Sequence, residues 1–343
     1  MQQELAAEPL WYRVQLERQT LKDLRRRTNV HGLIYFGSYL VLTVLFGTLT
    51  VADVFPVWAR VICFLLFANV FCFGEAILHE THHRTPFRSS WLNEAVHYFV
   101  GVVMLKEPLR DRWVHAAHHT YTSYPGLDPE IFLEPPPQMR YLVIDFFRLR
   151  FVFIWLYSTV RNAIKPDDLS RRFVPPSEYG KVKWSSRACV AVYLATVGLS
   201  IGFHVWWPVL LLFVARFVGS PLLSWTTLTQ HAALVEGAPD WRQNTRSVLM
   251  NPLNRLLVWN MGFHVEHHMN PTVPFHSLPR LHEAMRADCP TPYPSMWAAW
   301  REMVPALWRQ RHEPTYFVRR PLPGAADVAD AGAEPGPVVP AIS

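Results

Sequence analysis

The sequence has few charged residues and few cysteines for its length. Only 17% of its 343 residues are charged and 50% are hydrophobic, which is too apolar a balance for an ordinary soluble enzyme. Its four cysteines form no Cys-x-x-Cys pair, and Cys63, Cys72 and Cys189 lie inside apolar runs. We therefore expect no disulfide framework, no thiolate zinc site and no iron-sulfur cluster.

Acidic residues are fewer than basic ones, so the formal net charge is +6. Such an excess suits either nucleic acid or anionic lipid headgroups. The apolar runs described below favour lipid, so membrane lipid is an expected partner and nucleic acid is not. The first residues, MQQELAAEPLWYRVQLERQTLKDLRRR, are mixed and charged, and we expect no signal peptide there.

Four apolar runs are each close to the ~20 residues that a helix needs to span a bilayer. They cover residues 31–51, 57–78, 187–206 and 208–229. The links between the first and second runs and between the third and fourth are too short to form a domain, so each pair is expected to be a helical hairpin. The sequence predicts an all-α integral membrane protein with four transmembrane helices in two hairpins.

Basic residues just before the first run indicate the orientation. Lys22, Arg25, Arg26 and Arg27 precede residue 31, and basic residues flanking a span favour the cytoplasmic side. Two hairpins then return residues 79–186 and everything after residue 230 to that side. We predict a multi-pass protein of the inner (cytoplasmic) membrane with its active site facing the cytoplasm.

The predicted domain organisation follows from these runs. Residues 91–105 are apolar but short, so we expect a re-entrant or interfacial helix there. Residues 141–164 are apolar but carry charges, and we expect them to lie in the membrane surface, with a spanning helix as the alternative. The tail is rich in Pro, Gly and Ala and is expected to be disordered. The predicted regions are a cytosolic amphipathic lead (1–30), a membrane catalytic domain (31–290), a C-terminal helical cap (291–320) and a disordered tail (321–343).

Nine of the 16 histidines lie in three five-residue boxes. The boxes are HETHH at 79–83, HAAHH at 115–119 and HVEHH at 264–268. In a helix, residues four apart share a face and the residue three along lies beside them, so the imidazoles of one box are able to converge on one point. All three boxes fall on the predicted cytosolic side. The sequence predicts a metal centre in a cytosolic helical cap.

The number of imidazoles bears on which metal centre this is. A structural zinc site needs four ligands and usually includes thiolates, so nine imidazoles are too many for one zinc. Two metals fit the number better. Imidazole suits iron, copper, zinc and nickel, so the ligand type leaves the element open.

Two other functions fit parts of the pattern. His79, Glu80 and His83 satisfy H-E-x-x-H, the motif of zinc metalloproteases, which would make an intramembrane protease. That alternative leaves the histidines of the other two boxes without a role. A histidine-rich metal transporter is the second alternative, but its polar residues should line the spans, and here the boxes lie beyond the span ends.

The order HxxxH, HxxHH, HxxHH, with the first box directly after the second span and the third box after the fourth, resembles the membrane fatty acid desaturase and hydroxylase superfamily. Stretches such as HHTYTSYPGLDPE and WNMGFHVEHHMNPTVPFHSLPRLHEAM resemble a bacterial branch of it that includes dihydrorhizobitoxine desaturase and the rhizopine-catabolism oxygenase. The resemblance implies a non-haem di-iron centre with two Fe ions, O2 as co-substrate, and two electrons per turnover. It also implies a separate electron donor, such as a ferredoxin, a Rieske-type protein or a cytochrome b5-like carrier.

The resemblance also assigns residues. His82 is extra to the usual first box and is expected either to contact one of the metal-binding histidines or to be exposed. By their position near or inside the boxes, Asp128, Glu130 and Glu266 either orient imidazoles or are solvated surface charges. The resemblance places Arg246 near the site, where it is a candidate to meet a substrate carboxylate or phosphate, or an anionic lipid. The catalytic metal ligands implied are His79, His83, His115, His118, His119, His264, His267 and His268, with His231 as a further metal ligand.

The implied reaction is desaturation or hydroxylation of an unactivated C–H position, and the sequence leaves the choice between alkene and alcohol open. The expected substrate is a fatty acyl lipid or an amphipathic small molecule. A small amino-acid-like or amino-polyol metabolite is the alternative.

Overall fold

The structure is a computed structural model that describes residues 8–131 and 133–323. Residues 1–7 of the predicted lead and 324–343 of the predicted tail therefore lie outside the described residues. The α-helices, in chain order, are α1 (Arg18–Leu24), α2 (Asn29–Val51), α3 (Val57–Cys72), α4 (Gly74–His82), α5 (Ser90–Val103), α6 (Pro108–Tyr121), α7 (Met139–Phe146), α8 (Leu149–Ile164), α9 (Asp168–Phe173), α10 (Tyr179–Phe203), α11 (Trp207–Val209), α12 (Ala215–Val218), α13 (Ser220–Thr227), α14 (Trp241–Asn244), α15 (Pro252–Leu257), α16 (His264–Met269), α17 (Leu278–Met285) and α18 (Met296–Gln310).

Four helical segments are long and apolar enough to cross a membrane: Asn29–Val51, Val57–His82, Pro176–Phe203 and Trp207–Thr227. They confirm the predicted all-α integral membrane fold. The third begins well before the predicted residue 187, because α10 starts at Tyr179 and runs through Lys181 and Lys183. Hydropathy marks the part of a helix that suits lipid, whereas the helix itself continues into the polar region beyond it.

The outer faces of these helices are apolar and exposed. Val41 on α2, Leu65 on α3, and Leu194 and Leu199 on α10 are examples. In water such continuous apolar surface would be costly, but in a bilayer it matches the lipid chains. The exposed faces therefore fit the membrane-spanning role of these helices.

The two hairpins meet where α3 packs against α12 and α13. Gly219 lies at this crossing, and a Cβ built on it would be 1.8 Å from the carbonyl oxygen of Ala68. Small residues allow close backbone approach between membrane helices. The glycine therefore sets the separation of the second and fourth spans, which lead directly to the histidines.

A buried ion pair also joins these spans. The carboxylate of Glu75 on α4 contacts the guanidinium of Arg216 on α12, and its other oxygen lies 3.1 Å from the Nζ of Lys106. The side chain of Arg216 is fully buried. Charges in membrane segments are costly unless paired, so this contact fixes the relative position of the hairpins.

The remaining helices form a cap over the ends of the spans. The helices α5 and α8 have 14 and 16 residues, fewer than the ~20 needed to cross a bilayer, as the interfacial interpretation requires. The second box lies on α6 and the third on α16, while α4 carries the first box as the end of the second span. The three boxes therefore face one another.

Candidate metal centre

Each histidine box is helical, as predicted. In the first box, His79 and His82 lie on α4 and His83 is its C-cap residue. The helix of the second box, α6, begins with Pro108 at its first position, and the Glu107 side chain accepts hydrogen bonds from the backbone N–H groups of Leu109 and Arg110. Such capping fixes where a helix starts, and hence which residues of α6 face the centre.

Five histidines form the first cluster, which we call the five-histidine group. Their ligand atoms all lie within 4.8 Å of one another. The Nε2 atom of His115 is 3.0 Å from that of His83 and 3.1 Å from that of His119. The members of the group are His79, His83, His115, His119 and His267.

Four histidines form a second cluster, the four-histidine group. Ligand atoms of His118, His231 and His268 lie within 4.8 Å of one another. The Nε2 atom of His264 is 3.0 Å from that of His231 and 3.2 Å from that of His268. Together the two groups contain all nine histidines that the sequence comparison implied as metal ligands.

The two groups are adjacent. The rings of His119 and His268, one from each group, stack with their centroids 4.2 Å apart. The rings of His79 and His264 are 5.9 Å apart between centroids. Two metal ions held by these groups would therefore be close enough to act on one substrate.

The expectation that the three imidazoles of one box converge on one point is wrong for the second and third boxes. His118 is separated from His115 and His119, and His267 from His264 and His268. At 3.6 residues per turn, position i+4 is displaced by about 40° from i, and position i+3 by about 60° in the opposite sense. Each i, i+4 pair therefore stays in one group, while the i+3 residue reaches the other.

The chemistry of these imidazoles fits a bound cation. Burial, followed by the charges of neighbouring imidazoles, lowers the pKa values of His115, His119 and His264 well below their usual range, so these rings are neutral at pH 7. The Nε2 atom of His267 is buried without a hydrogen-bond partner. Neutral imidazole nitrogens facing one another at about 3 Å present lone pairs, which a transition metal satisfies.

The second ring nitrogens of three histidines in the four-histidine group meet fixed partners. The Nδ1 atom of His118 lies 2.9 and 3.0 Å from the two oxygens of Asp128. That of His231 donates to the carbonyl oxygen of Asn244 at 3.0 Å, and that of His268 lies 3.2 Å from Thr122 Oγ1. Such contacts leave Nε2 as the metal-binding atom and fix the orientation of the ring.

Asp128 also changes the basicity of His118. Burial opposes protonation of this imidazole, but the adjacent carboxylate outweighs burial and raises the pKa of His118 to about 9. A ligand made more basic by a carboxylate binds metal more strongly. The expectation that Asp128 orients an imidazole agrees with this geometry. The contact of Glu130 is longer, with its Oε2 atom 3.4 Å from His115 Nδ1.

Glu266 does not orient a box histidine, contrary to expectation. One of its oxygens lies 2.6 Å from Nδ1 of His282, and the other accepts a hydrogen bond of 2.6 Å from Ser247. As the i+2 residue of its box, Glu266 points to the opposite side of α16 from His264 and His268. It therefore ties α16 to α17, which carries His282.

Glu80 lies behind the five-histidine group. It accepts hydrogen bonds from Thr85 Oγ1 at 2.9 Å and from the backbone N–H of Phe275 at 3.2 Å. Its other oxygen is 3.5 Å from Nδ1 of His267. A metalloprotease needs this glutamate beside the metal-bound water, whereas here its fully buried side chain lines neither of the cavities described below.

His82 and Arg246 have structural partners. The Nε2 atom of His82 lies 3.1 Å from Asp111, and the side chain is nearly buried; it belongs to neither group. Arg246 is buried and donates to the carbonyl oxygens of Thr229 and Ala232 and, at 3.3 Å, to Glu302. These contacts hold the terminal nitrogens of its guanidinium inside the protein, while its Nε atom has no hydrogen-bond partner.

Two cavities adjoin the histidine groups. One of about 80 Å³ is lined by His118, His231 and His264, and one of about 240 Å³ by His79, His82 and His115. They share wall residues, including Glu130 and Gln230. A small molecule in the larger cavity would thus lie beside the five-histidine group.

Sequence reasoning missed two partners of the imidazoles. Thr122 is the third residue after the second box, and nothing in the sequence links it to His268 near the other end of the domain. The H-E-x-x-H pattern assigns Glu80 a role only in a protease. Its place inside a histidine box is the signal that would have suggested a supporting role.

A four-span helical membrane protein with two adjacent groups of buried imidazoles belongs to the class of histidine-box membrane proteins. The family model described as fatty acid desaturase matches residues 55–300, which is well over half of the chain. The chain therefore belongs to the fatty acid desaturase family, as the histidine boxes suggested.

Individual relatives are distant. Dihydrorhizobitoxine desaturase of Bradyrhizobium elkanii is 25% identical over 325 residues, covering 84% of each chain. The fatty acid desaturase 2-like proteins FADS2B of Homo sapiens and Mus musculus are 23% and 22% identical over 235 and 230 residues, each covering 62% of this chain. The alignments cover about half the length of these two relatives, 48% and 47%. These similarities and the family model place the chain in the membrane desaturase superfamily.

Proposed function

We propose that this protein is an O2-dependent di-iron enzyme that desaturates or hydroxylates an unactivated C–H position. The observation that carries the proposal is the division of nine imidazoles into adjacent groups of five and four. Two groups suit two metals, and the resemblance described above implies O2 as the oxidant. We propose a fatty acyl lipid or an amphipathic small molecule as the substrate class.

The protein's own residues would hold and orient the reactants. The five-histidine and four-histidine groups would each bind one iron, and the bound irons would supply the O2 activation that C–H cleavage needs. Asp128, Asn244 and Thr122 contact the second ring nitrogens of His118, His231 and His268 and so fix the ring orientations. The larger cavity holds one substrate C–H bond beside His79 and His115, which supplies proximity and excludes bulk water.

We propose that the centre faces the cytoplasm at the inner membrane. The helix α2 begins just after the basic run Arg25–Arg27, and α4 ends at the first box after the return of the same hairpin. The second hairpin likewise begins near Lys181 and Lys183 and ends four residues before His231. The basic residues and the histidines thus share one side, which the positive-inside bias assigns to the cytoplasm.

We propose that an acidic electron carrier, such as a ferredoxin, a Rieske-type protein or a cytochrome b5-like protein, binds a groove on the cap. His282 is one of the residues that line this groove. It contacts Glu266, which lies on the same helix as three proposed ligands. The excess of positive charge would attract an acidic partner, and the His282 contact gives a short path to the centre. The charged residues of this basic groove are Arg255, Arg280, Arg286 and Glu283.

Metal analysis of detergent-purified protein tests the proposal. We expect about two irons per chain, with iron lost when His118 and His119 are both replaced by alanine, because one ligand is then removed from each group. The purified protein, once reduced, should also consume O2. One zinc per chain, held by His79 and His83 and insensitive to the double replacement, would instead support the protease and contradict our proposal.

A further inference from the structure

The larger cavity beside the five-histidine group has charged as well as apolar side chains in its wall. Its volume is about 240 Å³. Three cations and three carboxylates line it, so the wall is balanced in formal charge. These residues are Lys106, Arg110, Arg148, Glu75, Asp111 and Glu130.

Several of these charges are held in fixed positions. The Nζ atom of Lys106 lies 3.1 Å from Glu75 and 3.2 Å from Asp111. Arg148 donates a 2.8 Å hydrogen bond to Thr227. Because the network is built from buried side chains on several helices, its positions are set before any ligand arrives.

Arg110 has bonding capacity that the protein does not use. The residue is only 5% exposed. Its Nε atom has no hydrogen-bond partner, and the nearest carboxylate, that of Asp167, is 3.6 Å away. A buried guanidinium nitrogen left without a partner is costly, and a ligand carboxylate in the cavity would satisfy it.

The rest of the wall is apolar. Phe151, Trp155 and Met261 contribute to it, and the Lys106 ammonium lies 4.4 Å from the centroid of the Trp155 ring. A ligand that fits this cavity therefore has both charged groups and a hydrocarbon part. The hydrocarbon part carries the C–H bonds that the proposed reaction would attack.

An acyl chain of a membrane lipid suits this cavity poorly. Methylene groups against Arg110 and Glu130 would remove water from charges without replacing its hydrogen bonds. The volume is also below the ~300–1,000 Å³ typical of sites for larger ligands. Both observations favour a short, polar molecule.

We propose that the substrate is a small zwitterionic metabolite with a carboxylate, an ammonium group and a short hydrocarbon part, and not the acyl chain of a lipid. This inference rests on the proposed function for the reaction that follows binding. The carboxylate meets Arg110 and Arg148, and the ammonium meets Asp111 and Glu130. Both ligand charges are then matched by wall charges of opposite sign.

Calorimetric titration of the iron-loaded, detergent-purified protein tests this with unbranched probes that differ in charge and chain length. The zwitterions are L-2-aminobutyrate, L-norvaline and L-norleucine. Hexanoate has the negative charge alone, norleucine methyl ester has the positive charge alone, and oleoyl phospholipid represents the acyl alternative. We expect at least one zwitterion to bind roughly 10-fold or more tightly than both singly charged probes, because each of those leaves wall charges unmatched.

Variants locate the site. Arg110→Gln should weaken zwitterion and hexanoate binding roughly 10-fold or more and leave the ester unchanged. The matched control is Arg171→Gln, which makes the same change on the exposed face of α9 and should alter nothing. If Arg110→Gln does not fold, the probe series on the unaltered protein still decides.

Three results would overturn the inference: binding of hexanoate as tightly as the zwitterions, binding of the oleoyl probe alone, or binding of no zwitterion in the series. These results are separable from failure of the proposed function. A protein with two irons that oxidises oleoyl lipid keeps the di-iron proposal and removes this one. A protein without iron removes the di-iron proposal, while the binding series still tests the cavity.

Discussion

Replacing Gly219 by alanine should disturb both the membrane core and the metal centre. The added Cβ would lie 1.8 Å from the oxygen and 2.2 Å from the carbon of the Ala68 carbonyl. Carbon atoms approach other heavy atoms to about 3.5 Å, so α3 and α13 must separate by more than about 1.5 Å. Backbone atoms lie on both sides of the contact, so no side-chain rotation relieves it.

The size of this shift determines the expected effect. Overpacking of this kind costs about 1–3 kcal/mol of unfolding free energy. The helix α3 leads through α4 to His79, and α13 leads to His231, while metal–ligand distances tolerate only about 0.2 Å. Gly219→Ala should therefore lower both the thermal unfolding midpoint in detergent and the iron content.

Gly198→Ala is the matched control for this prediction. Gly198 lies on α10, and a Cβ there would meet nothing within 4 Å. Both variants add one methyl group, but only at Gly219, between α12 and α13, does that group meet backbone atoms of another span, so the difference between them tests the crossing. If the two variants had the same unfolding midpoint and iron content, the close approach of the hairpins would not be what positions the histidines.

Two further predictions concern the surroundings of the centre. Asp128→Asn should weaken iron binding roughly 10–100-fold, as loss of a carboxylate behind a ligand does, and a chelator titration should remove that iron first. The control Asp288→Asn, at an exposed position, should leave iron binding unchanged. Equal retention of iron in both variants would contradict the orienting role of Asp128. Replacing both Arg280 and Arg286 by glutamate should slow reduction of the iron centre by an acidic carrier several-fold and make the rate of reduction less dependent on salt. Stopped-flow kinetics measures this rate, and an unchanged rate would place the docking surface elsewhere.

The spans were predictable because hydropathy depends on local composition. The links at residues 52–56 and 204–206 separate the helices close to where the sequence placed them. The start of α10 was not predictable from hydropathy, because Lys181 and Lys183 lie on a part of the helix that extends outside the lipid. Transfer free energy tells where a helix leaves the hydrocarbon, and it does not tell where the helix begins.

The nine histidines of the site were predictable, but their division was not. Spacing placed His115, His118 and His119 together on one helix, whereas the direction of each ring depends on which helices face it. Tertiary packing sends His118 towards His231 and Asp128. Contacts between residues far apart in the chain, such as Thr122 with His268, leave no local pattern in a single sequence.

The central claim is that the two groups of imidazoles hold two separate irons. Anomalous difference maps of iron-loaded crystals, recorded on either side of the iron absorption edge, test it most directly. We predict two iron peaks, one among His79, His83, His115, His119 and His267 and one among His118, His231, His264 and His268. A single peak, a signal at the zinc edge in place of iron, or an iron bound outside these nine imidazoles would contradict the account.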